Sequence, residues 1–427
     1  MKLDNLKNIM DGKGVSESNN SFMHDNGRRV YKKGIYTGKG TITILALAGI
    51  WSVAALTSLP GLAVSPISEK LLTVFPTATD LEIQMLTTLP SLLIIPFILF
   101  AGFISEKVGY IKLLNIGLWL YLISGALYFL CTSMTQLIIV SALLGVGAGI
   151  IIPFSTSLVS RFFSGEQRTR QYGYVSALTN ITLVVATAVT GYLADIKWRL
   201  PFVVYLLPIV SILLVPAIKK DEKTFSQKED VKDVADVTGG VDYRRLIRYM
   251  LYYLLITYLV MVVSINLPFL LGKYGYDSGV SGVVTSIFFI AMMLPGLFIN
   301  RIIEVLSKSI LVFSLALIAL GLFDVYFNGS LLFIILGCVA VGVGYGIAQP
   351  YIYDVTASLA SPQKSTYALA LLMTMNYVAI LVSPFVVDWV QGLFGVKGER
   401  FPFVFNGVIG GVAIVFLLMR RVWLKRN

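Results

Sequence analysis

Apolar runs of about twenty residues, separated by short polar connections, recur twelve times along this 427-residue chain. At 1.5 Å of rise per residue, a helix of about twenty residues spans the roughly 30 Å hydrocarbon core of a bilayer. Lipid offers no hydrogen bonds, so each run must satisfy its own backbone, and a helix does so within the segment. A membrane barrel would need strands of about ten residues that alternate apolar with polar; these runs are longer and do not alternate. Only 13% of the residues are charged, about half the roughly 25% of a soluble domain, and the mean hydropathy is +0.81. The pattern predicts an all-α integral membrane protein with spans near 41–65, 80–103, 112–131, 136–160, 172–194, 201–218, 246–271, 280–300, 309–327, 331–357, 367–389 and 402–419.

The net charge of +11 does not point to nucleic acid, because Lys and Arg sit in tails and loops and keep out of the apolar runs. Cys131 and Cys338 lie in apolar runs far apart, so neither a disulfide framework nor a metal spacing follows from them. The single histidine, His24, belongs to a polar tail, which excludes a Ser-His-Asp triad or a His-held metal inside the membrane. No Gly-x-x-x-x-Gly-Lys-Ser/Thr loop is present to bind ATP phosphates. No nucleophile–base pair falls in a span, so an enzyme is not expected and no cofactor is implied. Residues 1–40 are too long and polar for an ordinary signal peptide, and the first apolar run is expected to remain as a membrane anchor.

Twelve spans return both termini to one side. Lysine and arginine accumulate on the cytoplasmic side of membrane proteins. Here 28 of the 34 fall in the tails and the loops on the side of the termini, and six, Lys70, Lys197, Arg199, Lys273, Lys397 and Arg400, fall in the opposite loops. A multi-pass protein of the cell membrane with both termini cytoplasmic is therefore expected. The expected organisation is a polar tail (1–40), a six-helix bundle (41–218), a linker (219–245), a second six-helix bundle (246–419) and a basic tail (420–427). The linker mixes five lysines with seven acids and lacks an apolar face.

The two bundles repeat one another. Gly145-Val146-Gly147-Ala148-Gly149-Ile150 with Pro153 returns 197 residues later as Gly342-Val343-Gly344-Tyr345-Gly346-Ile347 with Pro350. Arg199-Leu200-Pro201-Phe202-Val203 returns as Arg400-Phe401-Pro402-Phe403-Val404. Parallel six-helix repeats carry a substrate site between the halves near the bilayer midplane, so the expectation moves from membrane protein to transporter. The glycine runs are read as close-packing surfaces between helices.

The loop after the second span reads Gly102-Phe-Ile-Ser-Glu106-Lys107-Val-Gly109-Tyr110-Ile-Lys112. It resembles the signature of the major facilitator superfamily, with Glu106 and Lys107 standing for its acid and base. Gly296-Leu-Phe-Ile-Asn300-Arg301 is similar to the degenerate second copy, and Glu166-Gln167-Arg168 and Trp198-Arg199-Leu-Pro201-Phe202 are similar to other family patterns. With twelve spans, linker and repeat, the resemblance covers residues 41–419 and implies two pseudo-symmetric six-helix bundles that rock by alternating access. It also implies a cytoplasmic gate built from Gly102, Glu106, Lys107, Gly109, Arg161 and Arg301. Arg161 stands where related transporters often carry an acid, and an ion pair with Glu106 is expected there. The chain departs from drug–proton antiporters in lacking an arginine in span 4, a Gly-Pro element in span 5 and an acid in the body of span 1.

Trp51, Asn180, Asn266, Tyr345, Gln349 and Asn376 are the candidate lining of a substrate cavity, each with the alternative that it packs on lipid or bonds a neighbouring helix. Tyr345 and Gln349 share one face of span 10 at i, i+4, and Asp354 points about 140° away from Gln349. A carboxylate at mid-membrane costs about 2.5–3.5 kcal/mol and usually faces a cavity or a partner. Asp354 is thus either a proton-coupling group or an inner-interface carboxylate that caps a helix or pairs with Arg301. The expected function is secondary transport, by a monomer, of a small apolar or amphipathic organic compound, since no cation lies in the interior of a span to hold phosphate or carboxylate. Export comes first; uptake or facilitated diffusion of a metabolite follows, and a non-transporting receptor is the remaining alternative.

Overall fold

The computed structural model describes residues 20–25, 28–60, 63–64, 67, 71, 74–229, 240–276, 278–361, 364–395 and 398–426. Among these, α1 is Ile44–Leu56, α2 Asp80–Val108, α3 Tyr110–Leu127, α4 Met134–Phe162, α5 Gly165–Ile196 and α6 Pro208–Glu229. The second half holds α7 Tyr243–Lys273, α8 Ser278–Leu297, α9 Ile310–Phe327, α10 Leu331–Ser358, α11 Ser365–Phe394 and α12 Phe401–Arg426. Among the described residues, eleven spans are long and apolar enough to cross a membrane. The tail also pairs two short antiparallel hairpins, Asn20–Asp25 with Arg28–Lys33 and Ile35–Tyr36 with Thr41–Ile42.

Three elements differ from the expected spans. Among the described residues of the first run, helix covers Ile44–Leu56: Thr43 caps its start by accepting from the Ala46 N–H, and Pro60 disfavours helix just before it. The sixth opens as a tight 3-10 stretch, Leu200–Leu206, between Pro201 and Pro208. Its helix α6 then runs to Glu229, well into the stretch read as linker, because Lys, Glu and Gln are good helix formers.

The repeat in the sequence is a repeat in packing. A Cβ on Gly147 would stand 2.8 Å from Tyr121 N and 3.3 Å from Gly117 O; one on Gly344 would stand 2.6 Å from Ser314 O and 3.3 Å from Ile318 N. Residues 117 and 121 lie 197 before 314 and 318, the offset of the glycines themselves. Gly145 likewise sits on Pro90 of α2, and Gly342 on Phe288 of α8. Apolar helices gain little from hiding in one another when the solvent is lipid, and close backbone approach supplies the packing instead. Large side chains such as Leu213 and Phe385 remain 74% and 68% exposed on the outside, as a lipid-facing surface requires.

Between α2 and α3 the chain turns on Gly109 alone, at φ +86°. An L side chain rarely adopts that angle, so the second glycine of the loop motif answers a backbone need.

Candidate functional site

A cavity of about 200 Å³ lies where the halves meet, lined by Thr156 of α4, Ser176, Thr179 and Asn180 of α5, Met292 of α8, Tyr345 and Gln349 of α10, and Asn376 and Tyr377 of α11, among others. None of the described residues lining it is charged. Its floor is a hydrogen-bonded cluster. Gln349 Nε2 lies 3.1, 3.1 and 3.0 Å from the hydroxyls of Tyr253, Tyr345 and Tyr353. An amide NH₂ has two protons for those three phenols, so one must be shared. Ser176 Oγ donates to Gln349 Oε1 at 2.6 Å, joining α5 of one half to α10 of the other. Tyr345 and Thr257 both donate to Asn376 Oδ1, at 3.3 and 3.1 Å.

Below this floor, toward the linker, the halves close. The Tyr172 and Tyr353 rings meet edge-on at 5.9 Å. Next, Asp354 accepts from Arg168 Nε at 2.6 Å and from Thr169 Oγ1 at 2.8 Å. Arg161 donates to Thr366 Oγ1 at 3.1 Å and stacks on the Tyr110 ring at 4.1 Å, while Ser160 bonds Ser365 at 3.1 Å. Asn300 donates to the Glu166 carbonyl at 3.1 Å. Two close crossings frame these bonds. Gly102 of α2 lies against Ala370 of α11, and a Cβ on Gly296 of α8 would stand 2.5 Å from the Gly173 carbonyl oxygen of α5. Gly102 and Gly296 open the loop motif and its degenerate copy, so each copy seats its first glycine on the other half.

The structure brings Asn180, Tyr345, Gln349 and Asn376 together around one cavity. Trp51 and Asn266 fall outside it. Trp51 Nε1 donates to Gln171 Oε1 at 3.0 Å, its ring edge-on to Tyr174, and so ties α1 to α5 within one half. Asn266 spends its amide on the Val262 carbonyl one turn back. Asp354 pairs with Arg168 rather than Arg301: α5 begins at Gly165, earlier than the expected 172, which puts Arg168 on the helix opposite Asp354. Arg301 is exposed on the short helix Ile299–Leu306, and Lys107 lies over the Phe103 ring at 5.1 Å. The Glu106 side chain, and with it the Arg161–Glu106 pair, lies outside the described residues. Sequence reasoning gave no site role to Arg168, Thr169, Ser176, Tyr253 and Tyr353; Arg168 stood in the Glu166-Gln167-Arg168 pattern, and Tyr353 carried a signal because Tyr345, Gln349 and Tyr353 form an i, i+4, i+8 stripe.

The family model described as Major Facilitator Superfamily matches residues 43–384 and 249–426. Among curated proteins the chain is similar to the quinolone resistance protein NorA of Staphylococcus aureus, 27% identical over 134 residues, which are 30% of this chain and 34% of that protein. It is similar to the multidrug transporter protein MdtP of Bacillus subtilis, 26% identical over 117 residues, 27% of this chain and 21% of that one. The chain thus matches about a third or less of these relatives' length. Among solved structures, the human organic anion transporter MFSD10 has a TM-score of 0.68 at 15% identity, covering 87% of this chain and 97% of its own. The proton:xylose symporter XylE gives 0.64 at 13% identity over 88% and 94%. These likenesses are of fold. With twelve apolar helices in two repeated bundles and a family model that spans nearly all of it, this chain is an integral membrane protein that belongs to the major facilitator superfamily.

Proposed function

We propose that the protein is a secondary active transporter that exports a small, uncharged apolar or amphipathic organic compound by alternating access. The observation that carries this reading is the uncharged cavity between the halves, lined from both of them and closed on the linker side by inter-half contacts. Burying a charged ligand there would cost several kcal/mol with no opposite charge to offset it. Methionines such as Met261, Met292 and Met373 in the lining adapt to varied apolar shapes. The names of the NorA and MdtP relatives support export of foreign compounds. The hydrogen-bonding floor of Tyr345, Gln349 and Asn376 suits a hydroxylated metabolite, which makes uptake the second reading. Both linings come from one chain, so a monomer suffices.

The coupling proton in this reading sits on Asp354. Ionised, Asp354 accepts from Arg168 and Thr169 and holds the linker-side gate shut. A proton removes the carboxylate's charge, weakens its bond to the guanidinium and frees the gate to part. Protein in liposomes, with and without a pH gradient, tests the whole. Flux that responds to the gradient and loses the response in Asp354→Asn is expected; flux that ignores the gradient, with Asp354→Asn silent, ends the coupling reading. Ligands that raise thermal stability without any flux would favour a receptor instead.

A further inference from the structure

The helices α5 and α8 run antiparallel across the halves. Where Gly173 meets Gly296 their backbones touch. Eleven residues further along each helix, about 16 Å at 1.5 Å per residue, Val184 and Thr285 face one another across an open slot of about 440 Å³. That volume is in the range of small-molecule sites. Two features say what it opens to. Of its lining, Thr187, Gly272 and Gly282 are exposed, and the outward faces of α5 and α8 carry Val185 and Val283, 55% and 59% exposed, so the mouth opens on a lipid-facing surface. Its far end carries Gly272, Tyr276 and Ser281, groups suited to the interface with water.

The hydroxyls inside the slot make no demand on a ligand. Thr187, Thr285 and Ser286 give their protons to carbonyls of their own helices at 2.7, 2.8 and 2.8 Å. An apolar body therefore passes them without leaving a donor unsatisfied. At the inner end of the slot stands Phe289, which lines both the slot and the central cavity. Its ring borders both spaces.

We propose that this slot is a lateral portal by which an amphipathic compound passes between the central cavity and the bilayer leaflet opposite the linker, with Phe289 as its swinging partition. The proposal rests on reading the central cavity as the substrate site. A compound with one polar end and an apolar body fits the path, polar end at the interface and body against Val184 and Phe289.

Two measurements test it. First, a bimane fluorophore on Ser286→Cys is followed in phosphatidylcholine liposomes; Cys131 and Cys338 are buried and do not compete for label. Quenching by a doxyl-labelled lipid several-fold stronger than by aqueous iodide is expected, and iodide dominance overturns the portal. Second, Gly282→Trp places a large ring at the slot; a Cβ added there meets nothing within 4 Å, so the backbone has room for the substitution. Efflux of the uncharged membrane dye N-phenyl-1-naphthylamine should fall about tenfold while the dye's stabilisation of detergent-solubilised protein is unchanged. Wild-type efflux in Gly282→Trp overturns the portal. If the unaltered protein neither binds nor moves the dye, the cavity reading fails for that compound, and the quenching measurement decides the portal by itself.

Discussion

At the linker end Gly102 meets Ala370, Gly173 meets Gly296 and Arg168 bonds Asp354, all across the two halves. At the opposite end the described charged contacts run within a half: Arg199 donates to the Cys131 carbonyl in the first, and Lys273–Glu399 and Arg400–Tyr274 tie loops of the second. A longer bond there, Tyr377 to the Thr57 carbonyl at 3.4 Å, does join the halves. The linker-end contacts must break for that end to open, so they belong to one state. The intra-half contacts can travel with their bundles and persist in both. Substitutions at the first should shift an equilibrium between states, and substitutions at the second should act, if at all, on stability.

The largest effect is expected from Gly296→Val. Its added carbon meets backbone of Gly173, which cannot rotate away, and overpacking of this kind costs about 1–3 kcal/mol. Applied to one state, that shifts its population roughly 5- to 150-fold. Labelling of a cysteine at the cavity residue Thr179 by an impermeant reagent should fall accordingly, whereas Gly191→Val, which meets nothing within 4 Å, should leave it alone. Unchanged labelling in Gly296→Val would erase the distinction between the ends. Asp354→Asn comes next. It keeps the shape but strips the anion from Arg168; both side chains are 19% exposed, so water weakens the loss and about a tenfold shift is expected. Arg168→Gln added to it should cost little more, because the pair acts as a unit; additive losses would mean that the two residues act separately.

Much of this frame was legible before any coordinates. Span count and the 197-residue repeat follow from hydrophobic length and from glycines that only close packing explains. The cavity residues Asn180, Tyr345, Gln349 and Asn376 stood out because polar groups are rare in spans. Trp51 and Asn266 stood out for the same reason, and polarity could not tell a group facing a cavity from one bonded to Gln171 or to its own helix. Arg168 was named in the Glu166-Gln167-Arg168 pattern but given no gate role, because lysines and arginines near a span end look alike whether they orient the protein or close a gate. Its role depends on where α5 begins, and boundary errors of a few residues are ordinary for a sequence reading.

Gln349→Leu tests a site between the two extremes, since the cluster joins halves through Ser176 but also lines space that water can enter. Neutral hydrogen bonds are worth about 0.5–1.5 kcal/mol net. A two- to tenfold loss in ligand affinity is expected, read as a weaker thermal shift at fixed ligand, with little change in Thr179 cysteine labelling. A labelling change as large as that of Gly296→Val would move the floor of the cavity into the gate.

The smallest effect belongs to the pair far from the gate. The Lys273 ammonium donates to Glu399 and holds its carboxyl below the usual range. A carboxylate whose folded pKa is depressed contributes stability above its unfolded value, about 4.3 for Glu, and loses it as pH falls through the folded value. Both side chains are well exposed, 56% and 38%, so water and salt screen the attraction. Thermal unfolding of Lys273→Gln should match the unaltered protein at pH 7, and the two should still coincide below pH 4, where Glu399 is gaining its proton in either. Thr179 cysteine labelling should not move at either pH. A large loss of stability in Lys273→Gln at pH 7 that vanishes in acid would mean the loops of the second half hang on this one pair. A change in labelling would mean more, because the pair would then be biasing the two states from the end assigned no part in them.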